Sequence, residues 1–175
     1  MAENVDRSQR VLAIDPALRK TGFGVLDRRG KDIRAMAYGV VANKQGLTQS
    51  ACLVEIRQTL ADVIEKHRPE ACAIEGIIYV QSHKTAITMG AARGAAMIAA
   101  AEFGLPIYEY APRKVKQAVV GKGAAQKDQV AFMVRALLGL DETPPPDAAD
   151  ALAIGIAHYY ACDREAATAE VREMI

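Results

Sequence analysis

The sequence predicts an α/β domain in which a mixed central sheet, an antiparallel meander extended by parallel strands, is flanked by helices. Three observations predict it. The chain opens with three short strand-like runs joined by brief turns. The hydrophobic period then switches from two to 3.6 residues. Two further apolar runs follow, each set between helical stretches, and strands alternating with helices need crossover connections and therefore pair in parallel. At 175 residues the chain suits one domain with a real core and no need of staples.

Val11-Leu12-Ala13-Ile14 is a short apolar run ending at Asp15-Pro16, a buried strand closed by a breaker. Gly22 to Leu26 and Ile33 to Val41 read as further strands, with Arg28-Arg29-Gly30-Lys31 as the turn between them. Leu53, Ile56, Leu60, Val63 and Ile64 recur at helical spacing, which predicts a helix from about Thr48 to Lys66 that stops before Pro69. Ala71-Cys72-Ala73-Ile74 is a second buried strand and runs into Glu75-Gly76. An Ala- and Gly-rich helix fills Thr85 to Glu102, halting at Gly104 and Pro106. Ile107 to Tyr110 is a strand, followed by helices over Arg113–Val120 and Gln126–Leu138. Pro144 to Pro146 break the chain before a last helix from Asp147 to about Ala161. The predicted order is βββαβαβααα. The folded domain is expected over 10–162, with polar, frayed ends at 1–9 and 163–175.

Composition excludes several classes. Apolar residues make up 51% of the chain, yet no run approaches the ~20 needed to span a bilayer. The polar, acid-bearing start is neither a signal nor a transit peptide. Cys52, Cys72 and Cys162 lie far apart and form no CxxC pair, which argues against a disulfide framework or a zinc site and for a reducing cytoplasm. The net charge of +1 is low for a nucleic-acid protein, but it is unevenly spread. Pro112 to Asp128 holds Arg113, Lys114, Lys116, Lys122 and Lys127 against Asp128, so this stretch carries +4 and the remainder −3. On charge alone it is either a solvated helix face or a polyanion-binding surface.

Four acids stand where chain geometry favours a site. Asp15 and Glu75 each terminate an apolar strand, and open α/β sheets gather ligands outside the carboxyl ends of their parallel strands. Asp147 and Asp150 lie three apart at a helix start, so both side chains face one way. Carboxylate oxygens suit hard divalent ions such as Mg²⁺, and a pair of ions about 4 Å apart can drive phosphodiester hydrolysis. Each acid also has a structural reading. Asp before Pro is an ordinary turn residue, Glu75 could be a solvent-facing strand end, and Asp147 with Asp150 could complement a helix dipole. Their combination supports a metal-dependent phosphoryl-transfer site.

Other features carry less. His67, His83 and His158 are isolated and read as satisfied or exposed residues. Gly22 and Gly24 lack the GxxxxGK[ST] pattern of a phosphate loop and read as strand-turn glycines. Gly90, Ala91, Gly94 and Ala95 put small residues on one helix, either for packing on the sheet or for contact with a second copy of the chain.

The residues also carry a family resemblance. Ile14-Asp15-Pro16 with Thr21-Gly22-Phe23-Gly24-Val25 resembles the opening of the RuvC family of bacterial Holliday junction resolvases. Ala73-Ile74-Glu75, Ala92-Arg93-Gly94, Tyr110-Ala111-Pro112, Val115 to Gly121 and Asp147 to Ala153 continue it in order, over about Val11 to His158. The resemblance implies a ribonuclease-H-like fold and a cytoplasmic homodimer of recombination and repair. Its implied activity is symmetrical nicking of two opposed strands of a four-way DNA junction, leaving 5′-phosphate and 3′-hydroxyl ends. It implies two Mg²⁺ per active site, with Mn²⁺ as a substitute, on Asp15 (the bridging ligand), Glu75, Asp147 and Asp150. Lys116 and Lys127 match the family's basic positions near the scissile phosphate, and a RuvA–RuvB branch-migration complex is the implied partner. DNA contacts are expected from Ile78, Tyr79, Gln81, His83, Lys84, Arg93, Arg113, Lys114, Lys116, Lys122 and Lys127.

Some positions depart from the family pattern. Ala17 stands where Gly is usual, and Gln81-Ser82-His83 replaces a usual Lys-Asn pair. Ile78 stands where an aromatic commonly stacks on an unpaired junction base; Ile can wedge between bases, and Tyr79 is the neighbouring candidate. Rival readings are a related nuclease acting on structured RNA and a non-cleaving junction-binding protein; the presence of all four acids disfavours the latter.

Overall fold

The structure, a computed structural model, describes residues 9–77, 82–168 and 173–175. Its elements follow the predicted order: β1 (Gln9–Asp15), β2 (Lys20–Arg29), β3 (Asp32–Ala42), α1 (Gln49–His67), β4 (Ala71–Glu75), α2 (His83–Glu102), β5 (Ile107–Tyr110), α3 (Pro112–Val120), α4 (Lys127–Leu138) and α5 (Pro146–Thr168). They form a five-stranded sheet of order β3-β2-β1-β4-β5. β1, β2 and β3 make the antiparallel meander, while β1, β4 and β5 pair in parallel.

Side chains alternate across a strand, so each strand feeds two cores. Leu12 and Ile14 of β1, with Cys72 and Ile74 of β4, pack beneath α1 and α2 among Ile56, Leu60, Ala96 and Ala99. Val11 and Ala13, with Ala73 and Tyr110, pack beneath α3, α4 and α5 among Val115, Val134, Leu152 and Ile156. Burial on both faces explains why β1 and β4 read as unbroken apolar runs.

Several described residues outside 10–162 make specific contacts. Gln9 belongs to β1: its carbonyl accepts from the Tyr159 hydroxyl at 2.6 Å, and its side chain accepts from Arg28. α5 continues past Ala161, and Arg28 pairs with Asp163 on the extension at 2.6 Å. Met174 forms an isolated bridge with Tyr108, and the Ile175 amide donates to the Ile107 carbonyl on the β5 edge.

Candidate active site

Strand alternation decides where the two strand-end acids point. Asp15 shares the parity of Val11 and Ala13, and Glu75 that of Ala71 and Ala73, so both face α5. Their strands are parallel neighbours with Ile14 opposite Ile74, which puts the two acids side by side at the carboxyl end of the sheet. The turn after Asp15 is closed by Thr21, whose buried hydroxyl donates to the Ala17 carbonyl (2.7 Å) and accepts from the Ala17 amide (3.2 Å). Ala17 has no positive φ, so its replacement of the family's glycine leaves this turn unstrained.

Glycine is required where α5 meets the sheet. Gly22 is paired with Asp15 across β1 and β2, and a Cβ there would stand 1.9 Å from the Asp147 carbonyl oxygen. At Gly24 a Cβ would meet Leu152, and at Gly155 it would meet Leu26 and Ala13. These are packing glycines within β2 and α5, rather than the turn residues that the sequence predicts for Gly22 and Gly24. They let the first turn of α5, with Asp147 and Asp150, settle directly over Asp15.

The four acids therefore converge. Asp15 and Glu75 stand side by side at the ends of paired strands, and both are half-buried. Burial, then repulsion from Asp150, raises the Asp15 carboxyl to about 6, with Asp147 adding to the same effect. Burial, then the Asp15 charge, raises Glu75 to about 8. Charge on Asp15 therefore opposes ionisation of Glu75. Lys127, at the start of α4, donates from Nζ to Asp150 Oδ2 at 2.8 Å and opposes the charge of the whole group. That contact raises the Lys127 pKa. Among the described residues no three acids stand ready around a common ion position. Asp150 is turned to Lys127. The donor set nonetheless fits a hard divalent cation: all-oxygen, half-buried, and carrying more negative charge than Lys127 balances.

The predicted basic residues are distributed around this centre. Lys127 joins the acids. Lys116 lies half-buried on α3, with Lys114, Arg113 and Lys122 exposed on α3 and the turn beyond it. Arg113 packs over Gly123. His83 and Lys84 are exposed at the start of α2. Arg93 is engaged within the protein, in an ion pair with Glu109 of β5. Ile78, Tyr79 and Gln81 lie outside the described residues.

A second basic rim was not anticipated. Arg19, Lys20 and Lys44 are exposed at the same end of the sheet, where Arg19 and Lys20, with Asn43, line an open cavity of about 510 Å³. Arg19 donates to the Lys44 and Leu47 carbonyls, fixing the loop after β3. The signal was in the sequence, since neither Pro16–Leu26 nor Ile33–Val54 contains an acid. These cations come from two separate strand ends, so a linear charge window does not sum them.

Comparison with known proteins adds an independent line. Residues 11–158 match the family model described as crossover junction endodeoxyribonuclease RuvC. A crossover junction endodeoxyribonuclease RuvC of Akkermansia muciniphila is 58% identical over 154 residues, covering 88% of this chain and 92% of that protein. Another, of Caldanaerobacter subterraneus, is 43% identical, covering 86% and 92% respectively. The solved structure of T. thermophilus RuvC in complex with Holliday junction substrate superposes with a TM-score of 0.86 at 34% identity, covering 95% of this chain and 99% of that one.

Proposed function

The chain belongs to the RuvC family of crossover junction endodeoxyribonucleases, and on that footing we propose that Asp15, Glu75, Asp147 and Asp150 are its catalytic acids. It is a Holliday junction resolvase on a ribonuclease-H-like fold, an endonuclease of recombination and repair. The observation that carries the site assignment is the convergence of four carboxylates from β1, β4 and α5 at one end of the sheet.

The four acids would hold two Mg²⁺ ions, with Mn²⁺ as a substitute. When bound, such a pair supplies a water nucleophile at neutral pH and stabilises the leaving oxygen, giving 5′-phosphate and 3′-hydroxyl ends. The chain's own residues prepare for this. Glu75 would hold an ion as the deprotonated carboxylate, beside Asp15. Lys127, paired with Asp150, would place its ammonium beside the scissile phosphate. Lys116, Arg113, Lys114 and Lys122 contact the phosphate backbone on the α3 side, with His83 and Lys84 at the start of α2. Arg19, Lys20 and Lys44 extend this track past the β2–β3 end. Such contacts position the strand without reading its sequence. Ile78, Tyr79 and Gln81 are proposed as the junction-distorting segment.

The working unit is proposed to be a homodimer, which supplies two active sites for two opposed strands. The outer face of α1 and α2 supports this reading. Val54, Ile87 and Ile98 are exposed there, and a cavity of about 490 Å³ is lined by Leu53, Val54, Ala91, Gly94 and Ile98. Among the described residues nothing stands within 4 Å of a Cβ built at Gly90 or Gly94, so these two glycines are not packed on the sheet. A RuvA–RuvB complex is the proposed partner and the cytoplasm the proposed compartment. Among the described residues no helix is long and apolar enough to cross a membrane.

The test is cleavage of a synthetic mobile four-way junction in Mg²⁺ and in EDTA, beside Asp15→Asn. Paired, ligatable nicks that need both metal and Asp15 are expected, with junction binding retained by the variant. Cleavage confined to structured RNA, or tight junction binding without nicks under any metal, would refute the proposal.

A further inference from the structure

We infer that Arg93 and Glu109 are positioning residues that brace the Glu75 end of β4 from the back of the sheet. The proposal rests on Glu75 being a catalytic ligand. Alternation puts Glu75 on the α5 face and the next residue, Gly76, on the α2 face. The space beside Gly76 is filled by Glu109: a Cβ at Gly76 would lie 2.9 Å from Glu109 Cδ and Oε1, and 3.0 Å from Cγ. The Glu109 carboxylate is the tip of a flexible side chain and would ordinarily swing aside. Here it is held by an ion pair with Arg93, which reaches across from α2.

Arg93 is itself fixed. Its side chain is only 18% exposed, it donates to Met97 Sδ one turn along α2, and its buried Nε has no partner among the described residues. The Gly76 amide also donates to the Tyr110 carbonyl at 3.0 Å, so β5 grips the backbone after Glu75 through both main chain and the Glu109 side chain. Arg93 on α2, Glu109 on β5 and Gly76 on β4 thus form a three-element clamp whose output is the direction of Glu75.

This assignment differs in its consequences from a DNA contact by Arg93. The experiment compares Arg93→Ala, Glu109→Ala and the double variant, with Glu109→Gln and Arg93→Lys as shape-preserving versions. Thermal melts of every variant identify any that fail to fold. Mn²⁺ affinity is read by calorimetry on the DNA-free protein, and junction affinity with its salt slope in EDTA. Each alanine variant is expected to weaken Mn²⁺ binding by about tenfold, the usual scale for residues supporting metal ligands. The double variant should be no worse than either single one, Arg93→Lys should recover part of the loss, and junction affinity should stay within about twofold. The idea is overturned if Arg93→Ala lowers junction affinity and the salt slope by about one while Glu109→Ala does not. Additive losses, or unchanged Mn²⁺ affinity in both single variants, overturn it equally. Absence of Mn²⁺ binding by the unaltered chain would sink both this inference and the metal site. Mn²⁺ binding without junction cleavage would sink only the substrate reading.

Discussion

Replacing Gly22 by alanine should separate the fold's stability from its chemistry. The added Cβ would sit 1.9 Å from the Asp147 carbonyl oxygen and 2.5 Å from its carbonyl carbon. Ordinary contact begins near 3.4 Å, so strand and helix must part locally by about 1.5 Å. Both partners are backbone, and no rotamer change can absorb the displacement. Overpacking of this kind costs about 1–3 kcal/mol, or several degrees of melting temperature in a chain of this size. The displaced groups are Asp147 and Asp150, and misplacing a reacting constellation by about 1 Å can cost on the order of a hundredfold in rate. Gly24→Ala is the matched control. Its Cβ would meet the buried Leu152 side chain, with Cδ2 at 2.6 Å, while the nearest α5 backbone atom stays at an ordinary 3.6 Å, so it should lower stability while sparing most of the rate. The assay is single-turnover junction cleavage at saturating protein, with junction binding in EDTA and a thermal melt on the same samples. A Gly22→Ala enzyme that nicks at the unaltered rate, or a Gly24→Ala enzyme that loses as much, would refute the view that this contact seats α5 for catalysis.

Other expectations follow from the same geometry. Lys116→Glu should weaken junction binding and flatten its dependence on salt by about one phosphate contact; an unchanged slope in a salt titration removes Lys116 from the interface. Lys20→Glu combined with Lys44→Glu should flatten the slope by about two contacts in the same titration, since both side chains are exposed on the rim. Full retention of the slope would show that DNA does not pass there. Gly94→Phe should weaken self-association by tenfold or more in sedimentation, because its surroundings within one chain are open. A dimer of unchanged affinity would move the interface elsewhere.

The order of elements was legible because burial imposes periodicity. β1 and β4 are covered on both faces and read as continuous apolar runs, and α1 buries Cys52, Ile56, Leu60 and Ile64 at helical spacing. Element ends were less legible because they depend on distant contacts. Gln9 is ordered by Arg28 and Tyr159, and Tyr159 lies 150 residues away. The four acids of the proposed site were visible as strand-end and helix-start carboxylates. Several of their neighbours were not. Gly22 is glycine because of the backbone at position 147, and a single sequence does not reveal that pairing. Arg93 on α2 looked like a free cation because Glu109, on β5, is sixteen residues away. The rim of Arg19, Lys20 and Lys44 escaped because the sheet, not the chain, puts these residues together.

The same reasoning explains why a net charge of +1 was a poor guide. At physiological ionic strength charges are screened over about 8 Å, and neighbouring strands are about 4.8 Å apart. A polyanion at one end of the sheet therefore responds to the residues within two or three strands and hardly to the far side. Three of the chain's acids are paired away from that end: Asp27 with Arg10 and Arg29, Asp163 with Arg28, and Glu102 with Arg57. The acids left at the active end are the ones whose repulsion of a phosphate has to be offset. Lys127 offsets part of it through Asp150, and divalent cations would offset the rest. Junction binding should then depend on the flanking cations and cleavage on the acids, so substitutions in the two sets should leave separable signatures in salt slope and in rate.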